Sequence, residues 1–240
     1  MKIFLAGAGG AIGRRLTPLL IAAGHDVVGT TRSTEKVAAL RALGAGPVVV
    51  DVFDAAALTR TVQAAAPQII MHQLTDLPCA PNTPGYQEGL NRNARLRIEG
   101  TRNLVAAAKA AGVTRLIAQS IAFVYAPGDG VHAETDPLDF ATTGARKRTV
   151  DGVVALEDAT LQMPEGIVLR YGLLYGPGTW FERDKRSKPA LHVDAAAHAA
   201  LLAVSKGKSG IYNIAEDDGA ISSEKAKREF GFDAGFRISK

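Results

Sequence analysis

A short apolar run, Lys2-Ile3-Phe4-Leu5-Ala6, gives way to Gly7-Ala8-Gly9-Gly10-Ala11-Ile12-Gly13 and then to an amphipathic stretch, Arg14 to Ala23. The pattern reads as a buried strand, a sharp turn and a helix. Glycines at positions 7, 10 and 13 each have a physical task in such a unit. One permits the turn, one lets the backbone approach a pyrophosphate, and one lets the helix pack on the strand. The first turn of the helix offers unpaired N–H groups and the positive end of a dipole to phosphate. A second strand, His25 to Thr30, closes the unit and favours dinucleotide binding over a merely structural turn.

The rest of the chain repeats the alternation. Strands are expected at Pro47 to Asp51, Gln68 to Gln73, Val113 to Gln119, Gly166 to Tyr171 and Gly210 to Ile214. Helices are expected over 34–43, from Asp54, over Arg92 to Ala111, up to about Leu161, over Asp194 to Val204 and over Ser222 to Phe230. Strands alternating with helices predict an α/β protein: a Rossmann-type, doubly wound parallel sheet. Its 240 residues fit a single unit, 1–240, with a small C-terminal substrate lobe drawn mainly from 172–240.

Ligands of such sheets sit at the carboxyl ends of the strands. There the second strand presents Thr31-Arg32-Ser33. A basic residue at this point suits a 2′-phosphate, so Arg32 argues for NADP(H) over NAD(H). Arg14 is a second candidate for that phosphate. Asp51, followed by Val52, is placed to contact adenine, Asp54 being the better N-cap for the next helix. His72 lies at the ligand end of its strand and reads as a hydrogen-bonded packing group.

The motifs Gly7/Gly10/Gly13, Asp51, Glu99 to Leu104, Ser120 to Tyr125, and Leu169 to Gly178 together resemble an extended short-chain dehydrogenase/reductase. These are the NAD(P)-dependent epimerase/dehydratase proteins and their relatives. The resemblance continues through His192-Val193-Asp194 and Ile211-Tyr212-Asn213. It implies a cofactor set of Gly7, Gly10, Ala11, Ile12, Gly13, Arg32, Asp51, Val52, Gln73 and Tyr171, with Gly172 to Gly178 capping the nicotinamide half. It also implies a Tyr-x-x-x-Lys pair for proton transfer, which this chain lacks. Counting back from Glu157, the pair falls on Thr149 and Val153. Arg97 stands where an asparagine is expected, and Ile121 where a serine is expected, leaving Ser120 beside it. Ser120 and Tyr125 are the first candidates for a replacement proton donor, with Tyr171, Tyr175 or water behind them.

Three functions are compatible with this pattern. The first is an NADP(H)-dependent oxidoreductase acting on a small carbonyl or alcohol with a non-standard proton donor. The second is a non-catalytic NADP(H)-binding sensor, and the third a remodelled nucleotide-sugar epimerase or dehydratase. No His-Glu-x-x-His, Cys-x-x-Cys or Gly-x-Ser-x-Gly motif points to a metal site or a hydrolase. The net charge of +4 is scattered rather than gathered, as an anionic cofactor but not a nucleic acid would require. No apolar run is long enough to span a bilayer. The single cysteine, Cys79, excludes an internal disulfide and fits a reducing, cytoplasmic compartment. The expected partner is a small-molecule substrate, the expected assembly a monomer or homodimer. The charged stretch Phe181 to Pro189 reads as a mobile lid, with a plain disordered loop as the alternative.

Overall fold

The computed structural model describes residues 1–77, 80–183 and 187–238. Cys79 and the middle of the charged stretch 181–189 lie outside the described residues.

Seven parallel strands form one sheet in the order β3-β2-β1-β4-β5-β6-β9. Their ranges are β1 Lys2–Ala6, β2 Asp26–Thr31, β3 Gly46–Val49, β4 Ile69–His72, β5 Arg115–Ile121, β6 Glu165–Tyr171 and β9 Gly210–Ile214. Side chains alternate across the sheet, and the alternation sorts the core into two layers. Ile3, Leu5 and Met71 face α1 (Gly13–Ala22) and α7 (Val193–Leu202). Phe4 and Ile70 face α3 (Ala55–Ala65) and α5 (Thr101–Ala110). The short helix α2 (Val37–Ala42) and the last one, α8 (Glu224–Phe230), send Leu40 and Phe230 to the first layer. Alternate sides are covered because each strand leads into a helix that must bury one apolar stripe.

The order reverses between β1 and β4, whose ends lie side by side, Ala6 opposite its register partner His72. A crevice opens there at the carboxyl ends of the strands. Gly7 has a φ of 97°, and a Cβ on it would stand 2.5 Å from the Gln73 carbonyl oxygen. A Cβ on Gly13 would stand 2.1 Å from the Gly7 carbonyl oxygen. Only glycine lets α1 start so close to β1. Gly10 differs, since a Cβ there would meet nothing nearer than the Gly7 oxygen at 3.3 Å.

Two features depart from the expected elements. The helix expected over Arg92 to Ala111 begins earlier, as α4 (Tyr86–Arg95), and runs into α5 through a π-helical turn, Leu96–Gly100. After β6 the chain adds a small parallel sheet of β7 (Leu173–Tyr175) and β8 (Ala190–His192), within a region expected to be loop. Three-residue strands carry too little periodicity to be read from sequence. Helix α6, Gly144–Leu161, packs against α4 so closely that a Cβ on Gly152 would lie 3.2 Å from the Ala94 Cα.

Candidate functional site

The crevice is a cleft of about 190 Å³. Its floor is the glycine turn, with Gly7, Gly9 and Gly10 in the wall. The N–H groups of Ala11 and Ile12 donate to no backbone carbonyl among the described residues, whereas Gly10 N–H bonds Gly7 and Arg14 N–H bonds Gly10. Two donors at the head of α1 are thus left for an anion, the arrangement that phosphate groups use. A larger groove, about 610 Å³, runs along Pro47, Val48 and Arg60. It lies at the sheet's edge beside β3, on the side away from the glycine turn.

At its end nearest β2 the cleft is bounded by Arg32 and Lys36. Lys36 was not anticipated from sequence; it closes a 3₁₀ turn, Thr34–Lys36, that carries it back toward the end of β2. The Arg32 guanidinium stands 3.7 Å from the Asp76 carboxylate, which also lies 3.7 Å from Arg92. Val50 and Val52 supply the apolar wall. Asp51 is exposed, and its Oδ1 accepts the Phe53 N–H at 2.9 Å, while Asp54 caps α3 by accepting from Ala57. Arg14 turns the other way, its guanidinium lying against Gly178 in the loop after β7. It therefore does not join Arg32.

Beyond β4, Gln73 lines the cleft, and both polar atoms of its side chain are buried without a hydrogen-bond partner among the described residues. The Tyr171 hydroxyl at the end of β6 is buried beside it, within reach of the Gln73 side chain but without a hydrogen bond of normal geometry. Burial pushes the Tyr171 hydroxyl well above the usual phenol range. Buried polar groups are ordinarily satisfied, so an orphaned cluster marks a place where a ligand's polar atoms belong. Backbone donors at Ala11 and Ile12, cations at Arg32 and Lys36 and the amide of Gln73 thus lie along one cleft at the carboxyl ends of the strands.

Ser120 and Tyr125 are placed differently. Neither lines the cleft. Ser120 Oγ donates to Glu157 Oε1 at 2.7 Å. The same carboxylate accepts from Arg170 Nε at 2.8 Å and Nη2 at 2.6 Å. Arg170 Nη1 donates to the Tyr125 hydroxyl at 2.8 Å, and that hydroxyl donates to Asn213 Oδ1 at 2.7 Å. All five residues are buried. Burial pushes the Tyr125 hydroxyl up, with the Arg170 charge opposing. Burial works against the Arg170 charge, yet the Glu157 carboxylate and the Tyr125 hydroxyl hold that guanidinium above its ordinary value. The network ties β5, α6, β6 and β9 together at one end of the sheet.

Of the two positions where a Tyr–Lys pair would fall, Val153 is fully buried among Ile121, Val124, Tyr125 and Val150. The Thr149 hydroxyl donates to the Ala145 carbonyl one helical turn back, at 3.1 Å. No ammonium or phenol stands there. His72, at the end of β4, is buried and bonded to the Thr101 hydroxyl at 3.0 Å. Burial, followed by the Arg97 charge, lowers its pKa to about 4, so it is neutral at physiological pH. It is the packing group the sequence indicates.

The model of the NAD dependent epimerase/dehydratase family matches residues 3–210. A 3-diazoavenalumate denitrifying reductase from a Streptomyces species is 39% identical over 251 residues, covering 93% of this chain and 79% of its own length. A 2-alkyl-3-oxoalkanoate reductase from Stenotrophomonas maltophilia (strain K279a) is 27% identical over 230 residues, covering 92% of this chain and 64% of its own length. The UDP-glucose 4-epimerase of Thermotoga maritima, solved with UDP-glucose, superposes with a TM-score of 0.78 at 17% identity, over 97% of this chain and 93% of its own. MoeE5 in complex with UDP-glucuronic acid and NAD gives a TM-score of 0.78 at 19% identity, over 99% and 95%. At these identities the structural likeness speaks for the fold. Among the described residues no helix is long and apolar enough to cross a membrane.

Proposed function

Since the chain belongs to the NAD dependent epimerase/dehydratase family, we propose that it is an NADP(H)-dependent reductase of a small molecule, working without a tyrosine–lysine proton relay. Both reductases above support the reaction class. The observation that carries the reading is the contrast between the two halves of the site. Glycines and cations line a cleft at the strand ends, while Val153, one of the two positions counted back from Glu157, lies in apolar core, and both support the reading. When bound, the nicotinamide supplies a hydride equivalent and the chemistry of its transfer.

The protein's part is then to hold and orient. Ala11 and Ile12 N–H groups bind phosphate, Arg32 and Lys36 select the 2′-phosphate, and Gln73 and Tyr171 fix the carboxamide end. Asp51 and Val52 border the adenine, and residues after β6, including the β7–β8 sheet, cover the substrate as a small lobe. Ser120 and Tyr125, whose hydrogen bonds are already used, act as positioning residues for the ends of β5, β6 and β9. A carbonyl substrate would take its proton from water.

A second reading follows from the same apolar patch. The Streptomyces relative is named for a denitrifying reduction of a diazo compound. An aryl diazonium carbon that takes up hydride and releases N₂ gains its C–H bond with the two charges cancelling, so no proton from the protein is needed. A site with no general acid suits that reaction. The non-catalytic sensor and the epimerase predict, respectively, binding without turnover and turnover of UDP- or dTDP-sugars.

The test is oxidation of NADPH, followed by loss of reduced-nicotinamide absorbance, against oxo acids, aryl aldehydes and aryl diazo compounds, with nitrogen release measured for the last. Turnover with any of these supports the reductase, and release of one N₂ per NADPH selects the second reading. Binding of NADPH with no turnover on the whole panel favours the sensor and refutes both.

A further inference from the structure

The buried charges beside the end of β4 do not cancel. Glu157 and Arg170 form one compensated pair, with the carboxylate oxygens filled by three hydrogen bonds. Arg97 stands next to that pair. Glu157 is the carboxylate whose charge bears on it, yet Arg97 makes no hydrogen bond or ion pair with any described residue. His72 is neutral, and Tyr125 keeps its proton. One carboxylate thus faces two guanidinium groups.

An uncompensated buried cation is among the costliest arrangements in a protein interior, and it persists where something else supplies the opposite charge. Burial lowers the Arg97 pKa to about 10, which still leaves it charged at neutral pH. The residue is 7% exposed, and its nitrogens are not among the sealed, unpartnered polar atoms, so they keep a little solvent contact. A small molecule can reach them from that side.

Placement agrees. Arg97 is the second residue of the π-helical turn Leu96–Gly100, and Leu96 lines the dinucleotide cleft. Wide turns of this kind redirect side chains at functional sites. The Tyr86 side chain, at the start of α4, bears on the Arg97 charge through its hydroxyl. Tyr86 meets Trp180 edge to face at 6.3 Å, and Trp180 is an exposed aromatic on the loop after β7. A guanidinium with an aromatic pair at its approach offers a planar fork for two oxygens and apolar surface for the group that carries them.

We propose that Arg97 anchors a carboxylate of the substrate, whose apolar body lies against Tyr86 and Trp180. The substrate class is therefore a small aryl or alkyl carboxylic acid. The identity of the bound molecule as substrate rests on the reductase reading; the carboxylate site itself does not.

The experiment measures melting temperature of the whole protein with benzoate and hexanoate, each against its amide, with and without saturating NADP⁺. At least one acid is expected to raise the Tm, and its amide to leave it unchanged. Arg97→Met should abolish the response to the acid while keeping the response to NADP⁺. Without ligand that variant should melt higher than wild type by about 2–4 °C per kcal/mol of relieved charge burial. Arg97→Lys, which keeps the charge but not the fork, should bind the acid about ten- to hundredfold more weakly. Equal shifts from acid and amide, no shift from either acid, or an undiminished acid response in Arg97→Lys would overturn the proposal. Loss of the NADP⁺ response alone would overturn the reductase reading and leave Arg97 standing.

Discussion

Replacing Arg32 with alanine removes one of two cations from the adenosine end of the cleft. Its guanidinium is 58% exposed and 3.7 Å from the Asp76 carboxylate, too far for a hydrogen bond. That exposed pairing is worth about 0–1 kcal/mol, so little is lost when the guanidinium turns to a phosphate. A hydrogen bond to a charged group contributes about 1.5–3 kcal/mol, and exposure puts Arg32 at the lower end. About 1.5 kcal/mol corresponds to roughly a tenfold change in Kd. Arg32→Ala should therefore weaken NADPH about tenfold and leave NADH unchanged. Lys36→Ala should show the same selectivity with a smaller effect, since a point charge lacks the fork. Both penalties should shrink as added salt shortens the screening length toward about 3 Å at molar concentration. Calorimetric titration of NADPH and NADH into wild type and both variants gives the constants needed. Equal wild-type affinities, or parallel losses for both dinucleotides in Arg32→Ala, would refute the assignment.

Gly10→Val is expected to stay folded and lose dinucleotide binding, because its Cβ would meet only the Gly7 oxygen, at 3.3 Å, while its methyls stand in the phosphate's approach. Gly13→Ala should instead lower stability by about 1–3 kcal/mol or more, since its methyl would strike backbone oxygens of Gly7 and Ala8; thermal melts and NADPH titration separate the two. His72 has a native pKa of about 4 against an ordinary 6.5, so the unfolded chain binds the extra proton between those values. Its stabilisation is full above about pH 6.5 and is lost as pH falls, by about 2–3 kcal/mol on reaching pH 4.5. Urea unfolding of wild type and His72→Asn at both pH values should show the smaller acid loss in the variant. Tyr125→Phe removes a hydroxyl bonded to Arg170 and Asn213 and should cost about 1–3 kcal/mol of stability. Its reductase rate should stay within a few-fold of wild type, and collapse of the rate with stability intact would make Tyr125 the proton donor after all.

The parallel sheet was legible because each strand is a near-continuous apolar run flanked by glycine or by a helix pattern. The glycine turn was legible for a sharper reason: at Gly7 and Gly13 the backbone comes too close for any side chain, and such positions leave a mark in the sequence itself. Other features have no local trace. Tyr125 reads as an available phenol until its partner Asn213, 88 residues away, is brought beside it. Arg97 reads only as a departure from an expected asparagine, because no pattern announces that it will be buried beside Glu157. Lys36 reads as an ordinary turn lysine, since its direction depends on a 3₁₀ turn after β2. Pattern reports which face of an element is apolar. It does not report which distant charge will be opposite.

Helix α1 has one more set of contacts. Arg15, in its first turn, donates from Nη2 to the Pro177 carbonyl at 2.8 Å and pairs through Nη1 with Asp194 of α7 at 3.0 Å. The element whose head is offered to phosphate therefore holds, one turn later, the loop that follows β7. A ligand seated on the head of α1 would therefore also bear on that loop through Arg15. On the reductase reading this coupling predicts ordered uptake, the dinucleotide entering before the small molecule and leaving after it. Steady-state analysis should then show oxidised dinucleotide competing with reduced dinucleotide but not with substrate, and Arg15→Ala should blur that order without touching a single group in the cleft.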